Sequence, residues 1–356
     1  MTYEDTLADV IADIRVPAPE FRALAYDRLD QLTKPVKSLG RLEEIACRVS
    51  LVQQDVRPSV GRKAIILAAA DHGVVAEGVS PFPQEVTWQM VANFASGGAA
   101  INHLAASVGA DLHLVDVGVV DDTSCLEGVR QDKVRSGTAN MTKGPAMTRE
   151  EAAQAILVGV EMTRELVADG VNLIAIGEMG IGNTTASAAM ASMLCRLFPA
   201  AVIGRGTGLD DEGMQRKAQA IAKAVEVNDI DPDDPLGLLS AVGGLEMATM
   251  VGVVLGAAEQ RVCVITDGFI STVATLTAVR LCPAALDYVL PSHRSVEPGH
   301  TVVLDELGLD PILELDMRLG EGTGAALAMG IVDAACRMMS GMATFAEAGV
   351  SGEDDS

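Results

Sequence analysis

The stretch 317–330, "MRLGEGTGAALAMG", sets one carboxylate, Glu321, between Gly320 and Gly322, directly before an alanine-rich segment. An acid at the start of a helix is favoured by the helix dipole, so a capping region explains the placement. A base held at the rim of a pocket explains it as well, because flanking glycines let the backbone approach a substrate closely. A second acid, Glu178, opens "GEMGIGNTTASAAMASML" (177–194). There Gly180 and Gly182 permit close approach of a ligand, and Asn183, Thr184 and Thr185 suit an N-cap and first helical turn. Free amides at such a helix start bind anions; a plain strand-to-helix turn is the other reading. The stretch is neither GxxxxGK[ST] nor GxGxxG, which disfavours an NTPase.

Three further stretches carry polar chemistry. "GRGTGLDDEGMQRK" (204–217) is a second glycine-rich loop, with Gly204 and Gly206 at its start. Asp210 and Asp211 suit caps for the helix that follows. Lys217, two turns in, either reaches a phosphate or sits in solvent. "ADHGVVAEGVSPFPQEVTWQM" (70–90) holds Ser80, Phe82 and Gln84, with prolines flanking the aromatic. Such a loop forms a lid or pocket wall, or only anchors itself to the surface. "LPSHRSVEPGH" (290–300) brings Ser292 and His293 to a strand end, but without a GxSxG elbow a serine hydrolase is disfavoured. "GVVDDTSCLEG" (118–128) begins like a diphosphate-sugar motif. Cys125-Leu126-Glu127 then replaces the glycine-threonine loop that motif needs, so the acidic pair reads as a surface turn.

The elements that must position these residues follow from the apolar pattern. Continuous apolar runs at 64–73, 112–119, 172–180, 262–269 and 285–293 predict strands buried on both faces. Helical patterns lie between them, at 84–106, 149–168, 184–196, 210–226, 236–258 and 269–280. This alternation predicts an α/β fold with a mainly parallel, doubly wound sheet. Ligands bind at the carboxyl ends of such strands. Here those ends read Asp71-His72-Gly73, Asp116, Glu178-Met179-Gly180, Asp267-Gly268 and Ser292-His293. Residues 1–60, broken at Lys34-Pro35, and 300–356, with one long Ala/Met-rich helix, predict a smaller helical domain made from both ends. The large α/β domain is then 61–299.

Composition bounds the function. The 356 residues are 49% hydrophobic and only 3% aromatic, enough for a large aliphatic core. A net charge of −23 argues against nucleic acid and anionic membrane surfaces as partners. Part of that acidity is local, in "NDIDPDDP" and the "SGEDDS" tail, both expected to be solvated. Six scattered cysteines without CxxC pairs read as free thiols in a reducing compartment. The histidines lack HxxxH or HExxH spacing, so no metal site is expected. The N-terminus is not a signal peptide and no segment is a convincing membrane span, which suggests a cytoplasmic protein.

In order along the chain, "LDQLTKPVKSLGRLEEIA", "ADHGV", "SPFPQEVT", "GEMGIGNTT", "GRGTGLDDEG", "VGGLEMATM", "DGF", "PSHRSVEPGH" and "MRLGEGTGAALAM" together resemble one family. It is the nicotinate-nucleotide:dimethylbenzimidazole phosphoribosyltransferase family of cobalamin lower-ligand biosynthesis. The resemblance runs from about residue 5 to residue 345. It implies transfer of phosphoribose from nicotinate mononucleotide to 5,6-dimethylbenzimidazole, giving α-ribazole 5′-phosphate and nicotinate, without a cofactor. It implies a Rossmann-like sheet and a homodimer. By motif match Glu321 is the general base, and Glu178 lies across the same pocket as a second catalytic residue. Gly180, Gly182, Asn183, Thr184, Thr185, Gly204, Gly206, Lys217, Ser292 and Gly322 correspond to nucleotide and phosphate contacts. Ser80, Phe82, Gln84, Met179 and Leu319 fall where the family walls the benzimidazole. Many relatives have Pro-Gly where this chain has Val36-Lys37, so the N-terminal turn is expected to differ in shape.

That chemistry suits the residues. The leaving pyridinium departs as a neutral nitrogen and needs no metal-bound diphosphate. Displacement at C1′ passes through an oxocarbenium-like state, and backside attack converts β to α. The incoming imidazole attacks through its bare nitrogen and must lose the proton on the other, a task for one carboxylate within hydrogen-bond reach. Burial would strengthen Glu321 in that role.

Overall fold

The computed structural model describes residues 2–206 and 208–351, so the tail beyond 351 lies outside the described residues. Six strands form one sheet: β1 (Arg62–Ala70), β2 (Ala110–Gly118), β3 (Val129–Gln131), β4 (Val171–Met179), β5 (Cys263–Thr266) and β6 (Val289–Pro291). Their order is β3-β2-β1-β4-β5-β6, and every neighbouring pair is parallel. This is the doubly wound order expected from the strand–helix alternation. In β1 every residue from Lys63 to Ala70 is buried, which is why its sequence shows no apolar–polar alternation. The short edge strand β3 was not expected: three residues, Val-Arg-Gln, carry no readable period.

Helices α1 (Tyr3–Asp13), α2 (Glu20–Gln31) and α3 (Arg41–Gln53) precede the sheet. Between β1 and β2 lie α4 (Val86–Ala95) and α5 (Ala100–Ser107), and α6 (Arg149–Ala168) leads into β4. Four helices separate β4 from β5: α7 (Asn183–Leu194), α8 (Asp211–Asn228), α9 (Pro235–Val242) and α10 (Leu245–Gln260). Then α11 (Phe269–Leu281) joins β5 to β6, and α12 (Pro298–Leu307), α13 (Thr323–Gly341) and α14 (Phe345–Ala348) follow.

Two expected helices are each divided by paired glycines. The segment 84–106 breaks at Gly97-Gly98, where Gly97 takes a φ of 81°. The segment 236–258 breaks at Gly243-Gly244. A β-carbon on Gly244 would lie 2.4 Å from the His72 ring. Helix α10 is buried over nearly its whole length and packs against α6. The backbones meet at Gly252, where a β-carbon would lie 1.8 Å from the Ile156 carbonyl oxygen.

The two chain ends meet. Helix α3 packs on α2 and on α13, and Arg28 Nε donates to the Met339 carbonyl at 3.0 Å. Helix α13 also packs on β4 and β5, so one continuous apolar cluster extends from Leu7 to Met339. The strand order reverses between β1 and β4, which places the crevice of such folds beyond Ala70 and Met179.

Candidate active site

Glu321 stands in an unusual backbone. Gly320, Glu321 and Gly322 have φ of 85°, 63° and 80°, three left-handed residues in succession. Glycine adopts that region freely; for glutamate it costs about 1–3 kcal/mol and persists only where the surroundings dictate it. The surroundings here are specific. Asp267, at the end of β5, accepts from the Gly322 amide at 3.1 Å and the Ala325 amide at 2.9 Å. The Thr323 hydroxyl donates to the Gly320 carbonyl at 2.8 Å. Beneath the turn lies Gly177 of β4, where a β-carbon would come within 2.7 Å of the Glu321 carbonyl group. Burial, and then the charge of Asp267, push the Glu321 carboxyl up to about 7.

Glu178 faces the same space from β4. Its carboxylate accepts a short hydrogen bond from the Asn183 side-chain amide. Burial raises it to about 8, with the charges of Glu246, Asp267 and Glu321 adding to the effect against the bond from Asn183. Glu246 is fully buried at the start of α10 and bonds His72 Nε2 at 2.7 Å. Burial disfavours a charged His72, but the charge and hydrogen bond of Glu246 outweigh it, so His72 is raised. Four acids thus converge from β4, β5, α10 and the turn before α13. Burial first, and then their neighbours' charges, raise Glu178 and Glu321, and burial raises Asp267 against the charge of His293.

Of these four acids Glu178 and Glu321 line a pocket of about 350 Å³ at the carboxyl ends of β4 and β5. Glu178, Met179, Gly180, Asn183 and Thr184 line it from the β4–α7 turn, and Leu319, Gly320 and Glu321 from the turn before α13. Phe82, half exposed, closes another side with Val86 and Met90. The other expected residues stand behind this surface. Gly182 is the N-cap of α7, and Thr185 is fully buried in its first turn. Gly206 lies close to Thr184, and Gly322 supports Glu321 from behind. Lys217 is fully buried, not solvated, and donates to the Gly204 carbonyl at 3.2 Å. Burial lowers it to about 8, and the charge of Glu297 opposes that shift. Ser292 donates to the Asp267 carbonyl at 3.0 Å. Ser80 accepts from the Phe82 amide at 3.1 Å, and neither Ser80 nor Gln84 is among the residues that line the pocket. Asp210 caps α8, accepting from the Gly213 amide at 2.7 Å.

Asp267 and His293 stand just after β5 and β6, where the strand-end rule placed them. Glu246, Glu297 and Arg318 were not singled out from sequence. Glu246 follows a Gly-Gly pair inside an apolar helix, a position with no local sign of its contact to His72. Glu297 and Arg318 also line the pocket. Among the described residues no helix is long and apolar enough to cross a membrane.

A phosphoribosyltransferase family model matches residues 14–350. The nicotinate-nucleotide–dimethylbenzimidazole phosphoribosyltransferase of Geobacter metallireducens is 50% identical over 344 residues, 97% of this chain and 98% of that protein. The enzyme of that name from Thermus thermophilus is 50% identical over 334 residues, covering 94% and 99% of the two chains. The crystal structure of CobT from Thermus thermophilus has a TM-score of 0.90 to this chain at 50% identity, covering 94% of this chain and 99% of its own. With a match that spans nearly the whole length in sequence and fold, this chain belongs to the nicotinate-nucleotide–dimethylbenzimidazole phosphoribosyltransferase family.

Proposed function

We propose that the chain transfers the phosphoribosyl group of nicotinate mononucleotide to 5,6-dimethylbenzimidazole, giving α-ribazole 5′-phosphate and nicotinate with inversion at C1′. The observation that carries this reading is Glu321: a carboxylate held on a left-handed turn at a largely apolar pocket, with its proton affinity raised to about 7. A general base works best when its affinity lies near the operating pH. Glu321 accepts the proton from one imidazole nitrogen while the other forms the new bond to C1′. The bond from C1′ to the pyridinium nitrogen breaks, and its electron pair leaves with neutral-ring nicotinate. Glu178, with its higher affinity, still holds its proton near neutrality and faces the same space as a hydrogen-bond donor. Phe82, Val86, Met90, Met179 and Leu319 offer apolar surface to a flat bicyclic ring. The α7 N-terminus offers the Gly182 and Thr184 amides to a phosphate, the Asn183 amide being taken by the Gly180 carbonyl at 3.1 Å.

The reading includes a homodimer in the cytoplasm and a helical module built from 1–60 and 300–356. The packing of α3 on α13 supports the module, and free buried thiols suit a reducing compartment. Light scattering of the purified chain tests the dimer. The reaction is tested by incubating the protein with nicotinate mononucleotide and dimethylbenzimidazole and resolving the products. The expected product is α-ribazole 5′-phosphate, with the anomer assigned by NMR. A β-riboside, or nucleotide binding without turnover, would overturn the proposal.

A further inference from the structure

We propose that Asp267 is the positioning residue of this site: its carboxylate fixes the turn that carries Glu321 and places a second negative charge facing that base. The inference rests on Glu321 being the base. Its ground is geometric. Helix α13 has no cap of its own, because its N-cap is Gly322, which has no side chain. The orphan amides of its first turn are taken by a residue 55 positions earlier in the chain, through both oxygens of one carboxylate. That carboxylate is 2% exposed, so its direction is set by the sheet and not by solvent. Its own carbonyl accepts from Ser292, and His293 Nδ1 stands 3.6 Å from Oδ1. The His293 ring is itself pinned against α13: a β-carbon on Gly324 would lie 2.0 Å from Nδ1. The end of β5, the end of β6 and the start of α13 are therefore locked together at one acid.

The charged groups facing Glu321 come from every neighbouring element. Glu178 faces it from β4, Asp267 from the end of β5, His293 from the β6 end, Glu297 from the start of α12 and Arg318 from its own loop, with Glu246 of α10 beside Glu178. Asp267 is the one among them that both bonds the turn and adds to the proton affinity of Glu321, so removing its charge must lower that affinity.

The test compares wild type, Asp267→Asn and Glu321→Gln. Asparagine is a good helix cap and keeps one acceptor for the α13 amides while deleting the charge. At pH 8, kcat of Asp267→Asn should fall about 10-fold or more, with the KM for nicotinate mononucleotide changed less than about 3-fold. The acid limb of its kcat profile should move to lower pH, which a purely structural loss would not do. Unchanged kcat, or reduced kcat with the limb in place, overturns the inference. Should Asp267→Asn not fold, Asp267→Ser keeps a short capping hydroxyl and is read the same way. Full activity in Glu321→Gln would instead remove the base itself, and so separates failure of the proposed function from failure of this inference.

Discussion

Two helices begin at this pocket, and they begin differently. Both α7 and α13 have a left-handed glycine as N-cap, Gly182 at φ 96° and Gly322 at φ 80°, and neither cap has a side chain to offer. At α13 the protein supplies the missing cap itself with the Asp267 carboxylate. At α7 the N-cap makes no side-chain bond to the first turn, and Thr184 lines the pocket. One helix start is therefore neutralised from within and serves as a rigid mount for Glu321. The other keeps its partial positive charge for an incoming anion. The same local geometry is capped in one place and left open in the other; under the proposed function the first mounts the base and the second binds the phosphate, and the difference is a single carboxylate at a strand end.

The comparison breaks hardest at Glu321. Glu321→Gln should lower kcat by at least ~100-fold, as expected for loss of a general base, with nucleotide affinity retained. A loss confined to KM would move Glu321 to the binding side. Next comes the floor of the turn. Gly177→Ala puts a methyl within 2.7 Å of backbone atoms of Glu321 and Gly322 that cannot swing aside. Overpacking of this kind costs about 1–3 kcal/mol, visible as a lowered denaturation midpoint together with a lower kcat. If only stability changes, the turn is less critical for catalysis than its geometry suggests. On the other helix, Gly182→Ala strains a φ of 96° and brings a β-carbon within 2.8 Å of Val75. It should raise the KM for nicotinate mononucleotide about 10-fold with a smaller change in kcat, and calorimetric titration would check it.

Proton linkage gives a finer test. Glu321 and Glu178 are raised in the folded state from 4.5 to about 7 and about 8. A carboxyl raised on folding binds its proton more tightly when native, so its contribution is fully present below pH 4.5 and is lost as pH rises through the raised value. Glu178→Gln should therefore gain melting temperature over wild type progressively between about pH 4.5 and pH 8, the window set by its shift. An equal gain at both ends would show that Glu178 is not raised. If Glu321 is the base, wild-type kcat should fall along an acid limb near pH 7, where Glu321 takes up its proton. The smallest effect belongs at Cys125, an exposed thiol that is not among the pocket-lining residues: Cys125→Ser should leave both kcat and midpoint unchanged within error.

The sheet was legible because its strands are buried on both faces and declare themselves as unbroken apolar runs. β1 and β4 agree with the expected runs to within a few residues. The helix breaks at Gly97 and Gly243 were not foreseen. A glycine pair inside an apolar pattern gives no sign of whether it bends a helix or ends it; at Gly244 the deciding fact is the His72 ring, brought from the end of β1. Glu321 and Glu178 were legible because glycines mark them. Asp267, Glu246 and His72 act through partners far away in the chain, so their work is invisible to any local window. Lys217 shows the same limit. Spacing left it open between solvent and a phosphate, and the fold buries it against Gly204.

The placement of α13 has a consequence for how the protein is made. Every strand of the sheet precedes it in the chain, and α13 packs on β4 and β5 while reaching Arg28 in α2. A nascent chain on the ribosome thus synthesises all six strands, α7 and Asp267 before Glu321. If Glu321 is the base, a chain truncated before α13 should lack turnover, and onset of turnover would report arrival of the C-terminal helix.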